Sequence, residues 1–383
     1  MRIVYLYPEL SFVGGNDRVI VDKLNYFAEV FQYDVYLVTT QQFGKKPFFE
    51  LSPKVRHLDM EIDFNKQYKS TFFKRVFIYF GLLYAYKRKL RKLLQTIKPD
   101  ITITTVSRDL DFIHSIKDGS KKIAEAHLSK KYVRALDEYQ GKGLIKGFIG
   151  KYLWMKLEDR VKKLDAFVVL TNEDAKNWEK VRRSVVIPNP LPFYPESVSS
   201  CDNKKIICVG RFEYQKGFDL LIEAWNMISG RHAGWEIHVY GKGSLAGELS
   251  DLIRQKGLHG SFFLEEPVTD IENKYIDSSF FVLSSRFEGF GMVLIEAMSC
   301  GLPVISFDCP DGPSDIIQDG EDGFLIQNGN IEELAEKIEY LIEHDALRPI
   351  MGRAARTNVQ KYSKETVMSE WKKLFDGLVR HKT

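Results

Sequence analysis

The 383-residue sequence predicts an α/β protein made of two doubly wound, Rossmann-like units with parallel sheets. Three observations carry that expectation. Short apolar, β-rich runs alternate with amphipathic helical stretches along the chain. The length exceeds what one ordinary hydrophobic core fills, so two domains are the first expectation. A proline-rich stretch, Ile187-Pro188-Asn189-Pro190-Leu191-Pro192-Phe193-Tyr194-Pro195, breaks the alternation near the middle, where proline resists both helix and central strand. The first unit is therefore read as residues 1–187 and the second as residues 188–363.

In the first unit the expected strands are Ile3–Tyr7, Asp34–Thr39, Val55–Leu58, Ile101–Val106, Lys122–Ala126, Ala166–Leu170 and Val185–Ile187. After the proline-rich stretch they resume at Lys205–Gly210, Trp235–Tyr240, Phe262–Leu264, Phe280–Leu283, Val304–Phe307 and Phe324–Ile326. Ligands of such sheets bind outside the carboxyl ends of the strands. Two units on one linker are expected to leave a cleft between those ends. No internal repeat or low-complexity tract interrupts the pattern.

Composition narrows the class. A hydrophobic content of 44% with 28% charged residues fits a soluble globular protein. The four cysteines (Cys201, Cys208, Cys300, Cys309) form no C-x-x-C pair and have no histidine at zinc spacing, which reads as reduced thiols in a cytosolic protein. The opening Met1-Arg2-Ile3-Val4-Tyr5-Leu6-Tyr7 reads as a strand and not a signal peptide. The net charge of +3 hides an asymmetry: residues 1–190 carry 35 Lys and Arg against 22 Asp and Glu, whereas residues 191–383 carry 20 against 30. The basic half is expected to meet an anionic surface or substrate.

Chemistry concentrates in Ser285-Arg286-Phe287-Glu288-Gly289-Phe290-Gly291-Met292-Val293-Leu294-Ile295-Glu296-Ala297-Met298. A strand, a glycine loop and a helix opening near Met292 present free backbone N–H groups at the sheet's mouth, where a diphosphate can sit. A carboxylate there repels phosphate, so Glu288 suits sugar hydroxyls instead. Taken alone, Glu288 reads as a loop acid and Glu296 as a surface residue. A second strand–turn–helix, Val209-Gly210-Arg211-Phe212-Glu213-Tyr214-Gln215-Lys216-Gly217, places a planar donor fork and a point charge in one turn, complementary to adjacent phosphates.

With these motifs the chain resembles the retaining family-4 glycosyltransferases of the GT-B fold, most of all bacterial polysaccharide and lipid-linked-glycan enzymes. Glu288 and Glu296 match that family's E-x7-E pattern, and Gly210 to Gly217 its G-R-x(4)-K-G segment. The resemblance is strongest over residues 205–326 and weak over 40–165. It implies that Arg211 and Lys216 bind the diphosphate and stabilise the departing UDP. Glu288 then holds donor-sugar hydroxyls, Glu296 the ribose, and the Gly289, Phe290, Gly291, Met292 and Val293 segment the diphosphate. Gly241, in Val239-Tyr240-Gly241-Lys242-Gly243, and Val268, in Glu265-Glu266-Pro267-Val268, are expected near the base. Pro310-Asp311-Gly312-Pro313-Ser314-Asp315 shapes the donor pocket. The resemblance also returns a final helix, roughly Lys364 to Val379 within residues 364–383, to the first unit.

On the acceptor side, Phe12-Val13-Gly14-Gly15-Asn16-Asp17-Arg18-Val19 joins the first strand to the first helix. Gly14, Gly15 and Arg18 match the relatives' G-G-x-E-R, and Asp17 departs from it; Gly15 is expected near the diphosphate. His127 ends a strand at a point where the family places a histidine near donor sugar and acceptor, and Glu125 and Arg18 are weaker acceptor candidates. Residues 72–98 carry Lys74, Arg75, Lys87, Arg88, Lys89, Arg91, Lys92 and Lys98 with no acid, around an aromatic run too short to span a bilayer. A second basic segment, 142–163, contains Phe148, Tyr152 and Trp154. Either segment alone also fits a core stripe with solvated lysines. Together they point to peripheral association with an anionic membrane surface on its cytoplasmic, inner face. No nucleic-acid recognition module is present, so nucleic acid is not an expected partner.

The expected function is thus retaining transfer of a hexose or N-acetylhexosamine from a UDP-sugar to a lipid-linked sugar acceptor in polysaccharide or glycan assembly. No metal or other cofactor is expected, since the cations already face the leaving group, and Asp109-Leu110-Asp111 lies away from them. Two alternatives stand beside it: a same-fold transferase or phosphorylase on a soluble acceptor, and a non-catalytic sugar-nucleotide-binding subunit.

Overall fold

The computed structural model describes residues 1–10, 14–69, 71–130 and 144–380. The chain forms two compact units, Met1–Pro188 with Met368–Thr383, and Asn189–Val367. Phe12, Val13 and Lys142, with the side chain of Phe148, lie outside the described residues.

The first unit has strands β1 (Arg2–Tyr7), β2 (Asp34–Thr39), β3 (Arg56–Asp59), β4 (Ile101–Thr105), β5 (Lys121–Glu125), β6 (Ala166–Val169) and β7 (Ser184–Val186). They lie in the order β3-β2-β1-β4-β5-β6-β7, all parallel, with Ile3 opposite Val35 on one side and Ile101 on the other. The helices α1 (Gly15–Glu29), α2 (Phe72–Ile97), α3 (Leu144–Lys162) and α4 (Asn172–Asn177) follow in the chain. β4 and β6 are buried along their whole length, as strands covered on both faces must be. Leu90 and Leu94 of α2 and Leu157 and Val161 of α3, each four apart, join Phe167 and Trp178 in one core cluster.

The second unit has β8 (Lys205–Val209), β9 (Glu236–Tyr240), β10 (Phe262–Glu265), β11 (Phe280–Leu283), β12 (Val304–Asp308) and β13 (Gly323–Gln327). Its parallel order is β10-β9-β8-β11-β12-β13. Between them run α5 (Phe218–Ile228), α6 (Ala246–Gln255), α7 (Ile271–Ile276), α8 (Met292–Ser299) and α9 (Pro313–Ile316), with α10 (Ile331–Glu343) and α11 (Leu347–Asn358) after them. Trp225 of α5, Phe280 of β11 and Leu334 and Ile338 of α10 meet in the core. The strand order reverses between β8 and β11, so the turns that leave these neighbours lie side by side. Such a switch point is where doubly wound sheets hold their ligands.

The last helix, α12 (Lys364–Arg380), belongs to the first unit from Met368 onward. Its Trp371 and Phe375 pack edge-on against Phe27 of α1, with ring centroids 6.3 and 5.3 Å apart. Every strand expected from the sequence is present, displaced by a residue or so at the ends. All four cysteines are free and buried.

Candidate active site

In the second unit the chain leaves β8 through Gly210 and Arg211, makes a short 3₁₀ turn at Tyr214–Lys216, and enters α5 after Gly217. Gly217 has φ +62°, and a Cβ there would lie 2.1 Å from the Ser284 carbonyl oxygen. Only glycine fits this approach. The contact presses the β8 turn against the β11 turn, and polar bonds hold them together. Ser284 Oγ donates to the Lys216 carbonyl (3.0 Å), Arg286 N to the Gln215 carbonyl (2.8 Å) and Gln215 Nε2 to the Phe287 carbonyl (3.0 Å). Arg286 adds a two-pronged pair with Asp219, at 2.8 and 2.6 Å, and stacks on the Tyr214 ring.

This clamp places Lys216 Nζ 2.6 Å from Glu288 Oε1, which also accepts from Ser285 Oγ at 2.6 Å. Glu288 is 6% exposed. The Glu288 N–H donates to the Pro310 carbonyl (3.3 Å), and a Cβ on Gly312 would lie 2.4 Å from the Phe290 carbonyl oxygen. The loop after β12 is thereby drawn against the loop after β11. On the other flank Phe212 N donates to the Lys242 carbonyl (3.0 Å), and a Cβ on Gly241 would meet the Gly210 carbonyl oxygen at 1.9 Å. Arg211 is exposed, with Nη2 3.2 Å from Gln215 Oε1.

Directly after Glu288 and Gly289 the chain passes Phe290, buried against the edge of Tyr362, and turns at Gly291 with φ +96° into α8. Gly291 supplies no capping side chain. The first amides of α8, on Met292 and Val293, have no acceptor within the helix and present the positive end of its dipole. Glu296, one turn in, is buried and accepts from the Tyr275 hydroxyl at 3.1 Å. Burial, reinforced by Glu296, holds the Tyr275 phenol far above its ordinary value, so it remains a donor. Val268 sits half-buried in the loop after β10. A cationic side chain, a sugar-compatible carboxylate and a free helix N-terminus thus share one rim, the arrangement that suits a diphosphate joined to a sugar.

In the first unit, Gly15 opens α1 and Arg18 N donates to the Gly14 carbonyl at 3.2 Å. Asp17 is buried and accepts from the Tyr7 hydroxyl at 2.9 Å. Glu125 ends β5 at 1% exposure, with one oxygen taking the Tyr5 hydroxyl (2.7 Å) and the other the Lys23 ammonium. With both oxygens engaged, it holds its neighbours in place rather than offering a free carboxylate. Lys23 Nζ lies 4.5 Å above the Trp371 ring of α12. His127 is next to this group, its Nε2 3.6 Å from Glu125 Oε1, and both buried ring nitrogens lack a hydrogen-bond partner. Burial, aided by Lys23 and opposed by Glu125, holds the imidazole below its ordinary value, so it is neutral at pH 7.

The structure therefore brings Lys216, Glu288 and the α8 N-terminus together, and separately Glu125 and His127. Asp109 of Asp109-Leu110-Asp111 is buried and bonded to Thr104 and Ser107. Sequence reasoning missed Ser285, Gln215 and the Arg286–Asp219 clamp, which act across the fold. It also missed Lys23, whose signal is a lone cation on the apolar stripe Val19, Ile20, Leu24 and Phe27.

The two-unit architecture is that of the GT-B enzymes. A mutant of S. aureus TarM in complex with fondaparinux, alpha-GlcNAc-glycerol and UDP superposes with a TM-score of 0.78 at 18% identity, covering 98% of this chain and 99% of that one. Residues 195–358 match the family described as "Glycosyl transferases group 1", so the second unit carries a domain of that family. An uncharacterized glycosyltransferase of Haemophilus influenzae is 27% identical over 97% of this chain and 99% of its own length. The poly(ribitol-phosphate) alpha-N-acetylglucosaminyltransferase of Staphylococcus aureus is 32% identical over 57% of this chain, which spans 45% of that relative.

Proposed function

We propose that the protein is a retaining glycosyltransferase of bacterial glycan assembly. It moves a hexose or N-acetylhexosamine from a UDP-sugar to a membrane-borne, lipid-linked sugar. The observation that carries this reading is the Lys216–Glu288 pair, 2.6 Å apart beside the uncapped N-terminus of α8. When donor enters, its diphosphate takes Lys216, Arg211 and the amides of Met292 and Val293, and the sugar hydroxyls take Glu288. The ribose diol reaches Glu296. Breaking the C1–oxygen bond leaves negative charge on UDP, which the cations and helix dipole stabilise. The acceptor hydroxyl attacks C1 from the same face and passes its proton to the departing phosphate oxygen. His127, buried beside Glu125 and held neutral, is the residue of the first unit assigned to the acceptor side. The UDP in the TarM mutant complex and the N-acetylglucosaminyl activity named for the S. aureus relative support this choice of donor.

Membrane association rests on α2, which carries seven Lys and Arg and no acid, with Phe77 80% exposed. Among the described residues no helix is long and apolar enough to cross a membrane. A basic aromatic helix of this kind lies at an anionic surface.

A panel of UDP- and GDP-sugars, assayed for nucleotide release, tests the chemistry. Glu288→Ala and Lys216→Ala are each expected to lower release by about 10²-fold or more. Wild-type rates in both variants sink the assigned roles, and loss of turnover on adding a chelator sinks the metal-free scheme. Co-sedimentation with phosphatidylglycerol vesicles is expected at low salt and should fall as the Debye length shrinks from ~10 Å at 0.1 M to ~3 Å at 1 M. A soluble-acceptor enzyme shows no such binding.

A further inference from the structure

Between α2 and α3 the first unit opens a groove of about 660 Å³ that the transfer chemistry does not use. Phe80, Leu83, Leu153 and Leu157 form its apolar walls, and Phe80 and Tyr84 at its lip are 62% and 70% exposed. Lys87, Lys156 and Arg160 line the same groove, with Asp111 as an opposing charge. Of the groove's lining side chains, Arg160 has its Nε buried without a hydrogen-bond partner; Nδ1 of His114, which lies outside the lining but feels the charge of Arg160, is buried in the same way. The His114 imidazole is held below its ordinary value by burial first, then by Arg160 and Lys163. Lys87 adds to the effect and Asp159 opposes it. Lys87, Lys156 and Arg160 thus share the lining of one groove, and the buried Arg160 Nε, a donor with no acceptor, is a group awaiting an occupant.

We infer that this groove holds the hydrocarbon chain of one phosphate-bearing membrane lipid, with the phosphate at Lys87, Lys156 and Arg160. The inference rests on the membrane reading above and goes further, from a surface that touches lipid to a slot that takes a single molecule. The fit is chemical. An apolar trough with a cationic end matches an isoprenoid or acyl chain ending in phosphate, whereas a soluble anion leaves the trough wet and a neutral chain leaves the cations unpaired.

Farnesyl phosphate is the probe, titrated against the full chain by calorimetry, with farnesol and inorganic phosphate as the two half-ligands. Farnesyl phosphate is expected to bind at least about tenfold more tightly than either half, a gain equal to roughly two buried methylenes. Leu153→Trp fills the trough and Lys156→Glu reverses an exposed charge, so the second variant folds even if the first does not. Each should weaken farnesyl phosphate by about tenfold, while Leu153→Trp leaves vesicle co-sedimentation unchanged. Farnesyl phosphate no tighter than phosphate, or indifferent to both variants, overturns the groove; retained vesicle binding then leaves the membrane reading intact. Wild-type chain that binds farnesyl phosphate but ignores anionic vesicles overturns the membrane reading and with it the inference. A wild-type dimer that Leu153→Trp dissociates in sedimentation assigns the groove to a second copy and overturns it too.

Discussion

Lys23 and Glu125 show how a single buried pair ties distant parts of the first unit together. Both are 1% exposed, and they link α1, β5, β1 through Tyr5 and α12 through Trp371. Burial pushes the Glu125 carboxyl up, but Lys23, His127 and the bonds from Lys23 and Tyr5 hold it below the usual carboxylate range. Glu125 is therefore ionised at neutral pH, while burial lowers the Lys23 ammonium against the opposing pull of Glu125. Removing one partner leaves an uncompensated buried charge. Lys23→Met is expected to cost about 3–5 kcal/mol in urea unfolding, and Lys23→Met with Glu125→Gln much less. Equal losses in single and double variants contradict the coupling. His127 adds a pH dependence. Its folded pKa lies below the unfolded value of about 6.5, so the folded state binds the proton less readily than the unfolded chain. Stability is then complete above pH ~6.5 and declines as pH falls through the folded value. His57 and His114 are lowered too and share that window. His127→Gln should flatten the decline, as read from unfolding midpoints at several pH values; an unchanged slope removes the assignment.

At the scale of elements, the site depends on turns that pass within contact of each other at the ends of β8, β9, β11 and β12. Gly217→Ala must displace the Ser284 carbonyl from a left-handed turn, and we expect a loss of roughly 2–4 kcal/mol in stability together with weaker nucleotide binding. Gly230, with nothing within 4 Å of its missing Cβ, is the control and should be near neutral as Ala. Equal effects at the two positions contradict the close-approach account. The strand–turn–helix pattern around Gly210 to Gly217 and around Glu288 to Glu296 is legible in the sequence, because apolar runs and glycine breaks are local signals. The tie between the two turns is not. The Arg286–Asp219 clamp joins residues 67 apart, and nothing in either segment announces the other. Glu296 reads as a surface residue when taken alone, yet it is buried beneath Tyr275, since its depth is set by α7.

For the whole molecule, the sequence displays the two sheets, the proline-rich join and the charge asymmetry, all of which follow from composition and period. The return of α12 to the first unit is different: Trp371 and Phe375 give an apolar face, but only contact with Phe27 says where it goes. The basic half of the chain places seven cations on α2, and Lys216, the lysine proposed to meet the diphosphate, lies in the acidic half. The proposed nucleotide site therefore rests on turn geometry and not on net charge. A crystal soaked with UDP measures this most directly. The account predicts the diphosphate within about 3 Å of Lys216 Nζ and the first amides of α8, with Glu288 released from the lysine. UDP bound elsewhere, or bound with the Lys216–Glu288 pair untouched, contradicts it.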